Sequence, residues 1–337
     1  MDFTMLYLTL AIILIALLFD FVNGMNDAAN SIATIVSTRV LSPRLAVFWA
    51  AFFNFAAVFG FGVHVATTIG KGIVSVMVVN EFLIFASLIG AIIWAYTCTH
   101  FGLPISVSHS LIGGLIGAAL IKAGPGSLLY PGIFKVTLFI FLSPLIGMVL
   151  GFFFMVGVTW IFRKTSPDRV DRTFRIGQLI SSAIFSLGHG TNDAQKTMGI
   201  IALTLYSAGY LGNTFYVPIW VIISAYLAIA LGTYLGGWKV VKTMGMKITL
   251  LRPVGGFCAE TGSAVVLIGT AMAGIPVSTT HTIAGAIIGV GATRRLSAVR
   301  WGIAGRIVWA WVLTIPSAAL VSALVYYLIE NIKNWLF

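Results

Sequence analysis

Two short segments of this chain set amide and carboxylate side chains among apolar neighbours. The first reads Asn23-Gly24-Met25-Asn26-Asp27-Ala28-Ala29-Asn30, the second His189-Gly190-Thr191-Asn192-Asp193-Ala194-Gln195-Lys196. Both contain G-x-N-D-A. Ionisable groups in apolar helices are costly and mark ion or substrate pathways. Amide carbonyls and carboxylates are hard oxygen ligands suited to Na⁺ or another hard cation. Asp27 and Asp193 therefore read as the anionic members of two related cation sites. Asn23, Asn26, Asn30, Asn192 and Gln195 complete those sites or donate to a substrate. The glycines read as helix breaks that free backbone carbonyls, as at transporter ion sites. The alternative is a buried polar network that holds helices together, but such a network has no need of two carboxylates.

A second pair of motifs can do the opposite chemistry. One copy runs Pro104-Ile105-Ser106-Val107-Ser108-His109, the other Pro276-Val277-Ser278-Thr279-Thr280-His281. Each follows a glycine, Gly102 or Gly274. Proline suits a helix start and Ser or Thr caps it. These segments read as half-helices whose N-termini lie inside the protein, where free N–H groups and the positive end of the helix dipole attract an anion. Ser106, Ser108, Ser278, Thr279 and Thr280 add hydroxyl donors. Ordinary capping of two membrane helices would explain one copy; two copies favour an anion site.

Carboxylates and an anion in one pocket repel unless cations lie between them. The motifs together thus predict obligatory cotransport of a cation with an anion. Phosphate near neutral pH carries a proton that it can donate to a carboxylate. Sulfate cannot, and leaves an acceptor unmatched at a cost of ~1–3 kcal/mol.

The elements that must position these groups are membrane helices. The chain has 337 residues, 59% of them hydrophobic and 9% charged, with a mean hydropathy of +1.03. That excludes an ordinary soluble domain. Apolar runs cover 45–69, 82–98, 103–121, 133–162, 216–235, 254–273 and 303–329, most of them long enough to span ~30 Å of hydrocarbon as a helix. The period-2 alternation of a membrane barrel is missing. The expected fold is an all-α integral membrane protein of about 10–12 helical segments, some broken or re-entrant. No basic region precedes the first apolar run, so it does not read as a cleavable signal.

Net charge is +11, yet its distribution argues against nucleic acid. The basic residues gather in four groups: Arg39 and Arg44; Arg163, Lys164, Arg169, Arg172 and Arg175; Lys239, Lys242, Lys247 and Arg252; and Arg294, Arg295, Arg300 and Arg306. Only Lys71, Lys122, Lys135, Lys196 and Lys333 lie elsewhere. Under the positive-inside rule those four groups are cytoplasmic and both termini lie outside. Asp193 follows Asp27 by 166 residues and Pro276 follows Pro104 by 172. Motifs in one order at nearly constant spacing divide the chain into repeats 1–162 and 175–337, joined by a cytoplasmic linker, 163–174. Each half makes five net crossings, so the repeats are inverted relative to one another.

The paired N-D signatures, the paired P-x-S/T motifs and the basic linker resemble the inorganic phosphate transporter (PiT) family, whose members typically read G-A-N-D-V-A-N. The resemblance covers the whole chain. Met25, Ala28, Thr191, Gln195 and Lys196 depart from that pattern. The resemblance implies phosphate uptake coupled to Na⁺ or H⁺, an inverted-repeat fold and a homodimer. Some members are thought to carry sulfate. A plasma (inner) membrane location is expected.

The remaining ionisable residues leave alternatives open. Glu260 is read first as a coupling-ion ligand; a proton acceptor or a partner for Arg252 are the other roles. Lys196 can balance Asp193, attract the anion, or snorkel to an interface. Asp20 precedes the first motif and ranks lower. His109 and His281 orient hydroxyls or backbone, while His64, His100 and His189 show no metal-ligand spacing. Cys98 and Cys258 read as small core residues. The phosphate loop G-x-x-x-x-G-K-[ST] is missing, so ATP is not expected as the energy source, nor is an organic cofactor. A channel and an intramembrane hydrolase are the competing classes. Carboxylates facing an anion pocket fit occlusion better than a pore, and a catalytic triad needs no second copy.

Overall fold

The computed structural model describes residues 3–60 and 62–336. The extreme termini, expected above to lie on the outer side of the membrane, fall beyond the described residues. Twelve α-helices follow in order among the described residues: α1 (Phe3–Ser37), α2 (Pro43–Ala56), α3 (His64–Gly72), α4 (Glu81–Phe101), α5 (Val107–Ala123), α6 (Tyr130–Ile161), α7 (Pro167–Ser207), α8 (Ile219–Leu235), α9 (Trp238–Lys242), α10 (Pro253–Met272), α11 (Thr279–Ala292) and α12 (Trp301–Leu336). The fold is an all-α membrane protein. Among the described residues five helices are long and apolar enough to cross a bilayer, and a sixth span is counted if α8 and the segment Trp238–Lys247, bent by 64° from it, are taken as one.

Two expectations about breaks are corrected. The helices through both G-x-N-D-A motifs are continuous, over 35 residues in α1 and 41 in α7. The motif glycines serve close packing instead. A Cβ on Gly24 would lie 2.2 Å from the Ile229 carbonyl oxygen, and one on Gly190 2.5 Å from that of Asn54. Backbone carbonyls at the motifs therefore stay in the helix ladder, and only side chains are free to act as ligands. Conversely, the single run expected over 45–69 is interrupted. It divides into α2, a 3₁₀ turn (Ala57–Phe59) and α3.

The breaks expected at the P-x-S/T motifs are present. α4 ends with the Leu103 amide bonded to the Cys98 carbonyl and the Gly102 amide to that of Thr99. α10 ends the same way, Ile275 to Thr270 and Gly274 to Ala271. Both are Schellman caps, which need a left-handed residue; Gly102 (φ 68°) and Gly274 (φ 64°) supply it. After each cap, extended residues lead into α5 or α11. Ser106 Oγ accepts from the His109 amide at 3.3 Å, and Ser278 Oγ from the His281 amide at 3.2 Å.

Packing crosses between the two halves of the chain. α6 packs on α11 and α10, whereas α12 packs on α5 and α4. Glycine faces allow the approach: a Cβ on Gly117 or Gly289 would sit 2.0 Å from the Ala319 or Met148 carbonyl oxygen respectively. Helix association in lipid rests on such contacts. α1 packs on α8, α7 and α4, and α7 packs also on α10, α3 and α2. The two motif-bearing helices thus occupy the centre, facing the starts of α5 and α11.

Candidate functional site

On α1, Asn23, Asn26, Asp27 and Asn30 are spaced to share one face. On α7, His189, Asn192, Asp193 and Lys196 repeat that spacing. All eight are buried. The start of α11 joins the two helices. Thr279 Oγ1 lies 3.4 Å from Asp27 Oδ2 and 2.9 Å from Asp193 Oδ2. Thr280 Oγ1 lies 3.1 Å from Asp27 Oδ1 and 2.9 Å from the Ile105 carbonyl oxygen. Each hydroxyl has a single proton for two acceptors, so small changes in local charge redirect it. Asn30 donates to both threonine hydroxyls, at 3.2 and 2.9 Å.

Two nitrogen groups complete this centre. His189 Nε2 is 3.1 Å from Asp193 Oδ2 and 3.8 Å from Asp27 Oδ2. Its Nδ1 is 3.0 Å from Asn54 Oδ1, and Asn54 in turn donates to Thr233. Lys196 Nζ pairs with Asp193 Oδ1 and donates to Ser108 Oγ (2.6 Å) and to the Val277 carbonyl (2.9 Å). Asp27, His189 and Asp193 each offer a ligand atom, all within 4.8 Å of one another, a grouping able to hold a metal ion.

The oxygen ligands are unevenly distributed. Oδ1 of Asn23, Asn26 and Asn30 are buried with no hydrogen-bond partner among the described residues. Buried polar atoms are ordinarily satisfied, and amide oxygens in this position suit a hard cation. Both amide atoms of Asn192 are likewise unpartnered. Asn26 donates to Thr99 at 2.6 Å, and Asn23 to Asp20 at 3.5 Å.

Of the residues singled out from sequence, Asp27, Asp193, Asn30, Ser108, Thr279 and Thr280 meet in one centre. Ser106 and Ser278 cap α5 and α11 beside it, their oxygens accepting from the His109 and His281 amides while each O–H remains a donor. Gln195 faces another way: its Oε1 accepts from the Val65 amide at 2.8 Å, at the start of α3. Glu260 sits in a separate network, accepting from Gln178 at 3.0 Å and from Ser181; no contact with Arg252 accompanies it among the described residues. His109 and His281 lie behind the centre, with ring centroids 4.9 Å apart. His281 stacks on Trp311, whose indole donates to the Pro104 carbonyl. Sequence reasoning set His189 aside. Its i, i+4 relation to Asp193 was the available signal, and the carboxylate from the other helix makes the site. Asn54 and Thr99 carried no signal of their own.

The sequence matches the phosphate transporter family over residues 23–322. A Rhizobium meliloti (strain 1021) protein named "Probable low-affinity inorganic phosphate transporter" is 58% identical over 97% of this chain and 98% of its own length. A Bacillus subtilis (strain 168) protein of the same name is 42% identical over 97% and 99%. A solved structure titled "The sodium-dependent phosphate transporter" superposes with a TM-score of 0.86 at 28% identity, covering 97% of this chain and 100% of that one. These relatives are transporters, not enzymes, and phosphate is the family's substrate. The carboxylate pair, the two capped half-helices and these matches agree: the chain belongs to the phosphate transporter family.

Proposed function

We propose that this chain is a secondary active transporter that imports inorganic phosphate by symport with a cation, Na⁺ in the leading reading. The observation that carries this is the position of Thr279. Its hydroxyl, at the start of a half-helix, reaches both Asp27 and Asp193. Anion-attracting and cation-attracting groups thereby share one buried centre. Phosphate binds at the convergent starts of α5 and α11, through hydroxyls and free N–H groups. The cation binds against the carboxylates and the α1 amides, and cancels the repulsion between them and the substrate. Neither ion is well accommodated alone, which is the physical basis of coupling.

The two halves act as inverted repeats, with the basic loops in the cytoplasm. Access alternates as one part of the bundle rocks against the other. A cavity of about 710 Å³ supports an inward path. It begins at Ala33, one turn beyond Asn30, and its walls include Arg39, Lys242, Lys247 and Arg300. Each positive charge entering a negative interior gains ~2.3 kcal/mol per 100 mV. Proton coupling is the second reading, and the observation favouring it is His189, a protonatable ring wedged between the two carboxylates.

Phosphate uptake into proteoliposomes, under an inward Na⁺ gradient or a pH gradient and with excess unlabelled sulfate, tests the proposal. Na⁺-driven uptake that sulfate leaves intact is expected. Uptake that follows only the pH gradient selects the second reading. Folded protein that moves no phosphate under either gradient refutes both.

A further inference from the structure

Aligning the two motifs on Asn-Asp sets Lys196 opposite Asn30. The two side chains stand in matching places but do different work. Asn30 donates to hydroxyls and keeps Oδ1 unpartnered. Lys196 brings a whole positive charge to its carboxylate.

An ammonium group has three N–H donors. In this structure all three are used on protein oxygens: the Asp193 carboxylate, the Ser108 hydroxyl and the Val277 carbonyl. A carboxylate, a hydroxyl and a backbone carbonyl are also the oxygen set a hard cation selects. With its donors spent and 1% of its surface exposed, Lys196 has none left for phosphate and no path to an interface. We propose that Lys196 is a tethered cation that permanently fills the second of two coupling-cation positions. The chain would then carry one fewer mobile cation per phosphate than a transporter with Asn there.

The remaining mobile cation belongs to the α1 side. That side presents Asp27 with the unpartnered amide oxygens of Asn23, Asn26 and Asn30. His189 Nε2 faces Oδ2 of both carboxylates and leaves Asp193 Oδ1 to the lysine. Substitution by Asn would remove the fixed charge and restore an oxygen ligand, converting the position to one that must recruit a free ion.

This inference rests on the cation-symport reading, but its test uses no phosphate. Radiolabelled Na⁺ binding is counted on the purified full chain at saturating Na⁺, in wild type and Lys196→Asn. One additional Na⁺ per chain in the variant is expected. An unchanged count overturns the proposal. Should Lys196→Asn unfold at low salt, thermal stability is titrated with NaCl against choline chloride. Recovery specific to Na⁺ supports the proposal; equal recovery in both salts, or none, overturns it. Lys196→Met supplies neither charge nor ligand and should bind no additional ion; a gain there equal to that of the Asn variant also overturns it. Wild-type phosphate uptake, measured separately, reports on the symport reading alone.

Discussion

The two copies of G-x-N-D-A sit on equivalent stretches of continuous helix and meet at one threonine, yet they are chemically unlike. The α1 copy surrounds Asp27 with amides, Asn23, Asn26 and Asn30, whose Oδ1 atoms have no partner among the described residues. The α7 copy has one such amide, Asn192, but adds nitrogen groups, His189 and Lys196, both in contact with Asp193. The two copies share one residue spacing but carry different partners for their carboxylates. Asp193 has a lysine counter-charge built into the chain, whereas Asp27 has no lysine among the described residues and shares only His189, at 3.8 Å.

That contrast can be broken most sharply at the carboxylates. Asp193→Asn leaves the Lys196 ammonium buried and unpaired, and breaking a buried pair on one side costs ~3–5 kcal/mol. Asp27→Asn removes a charge that has no fixed lysine partner. Thermal unfolding in detergent should therefore show a much larger loss for Asp193→Asn, while phosphate uptake is lost in both. Equal destabilisation would mean that the two carboxylates are not differently partnered.

The scaffold itself comes next. Gly289→Val places a side chain against the Met148 carbonyl, where even a Cβ would lie 2.0 Å away. Overpacking of this kind costs ~1–3 kcal/mol or more. It should separate α11 from α6 and lower the yield of monodisperse protein. Gly157, which has open space around its Cβ position, should tolerate Ala in the same assay.

Thr279→Val then sharpens the link between the halves. It removes the hydroxyl that reaches both carboxylates, a change of ~1–3 kcal/mol for a buried acceptor left unmatched. Uptake should need more cation for half-maximal rate, with a smaller change in phosphate KM. Thr280→Val, whose hydroxyl lies 3.1 Å from Asp27 and does not reach Asp193, should shift the cation dependence by a similar amount, because the mobile cation is on the Asp27 side. The smallest effect is expected at the cavity rim. Lys242→Gln with Arg300→Gln should lower the uptake rate a few-fold at low salt and less at high salt, because exposed charges are screened beyond ~10 Å at 0.1 M.

Much of this was legible in the sequence. The P-x-S/T motifs announced their half-helices because glycine, proline and capping serines act locally. Asp27 and Asp193 stood out because carboxylates are rare among apolar residues. What sequence misjudged was the meaning of Gly24 and Gly190. A glycine that breaks a helix and one that admits a neighbouring backbone look alike in one dimension, and only the Ile229 and Asn54 carbonyls decide between them. Lys196 was one of several open alternatives for the same reason. Its three acceptors come from α7, α5 and the loop before α11, far apart along the chain. Gln195 was read as a ligand by its neighbours, yet a helix places adjacent residues on different faces, and its side chain meets α3.

The most direct test of the account compares wild type with Asp27→Asn in proteoliposomes. Radiolabelled phosphate is followed under an inward cation gradient, Na⁺ or H⁺, and again with the gradient collapsed. The account predicts that wild type concentrates phosphate above the external level only while the gradient lasts, and that Asp27→Asn never does. Accumulation by the variant at the wild-type level would contradict the claim that the carboxylate centre couples the cation to phosphate.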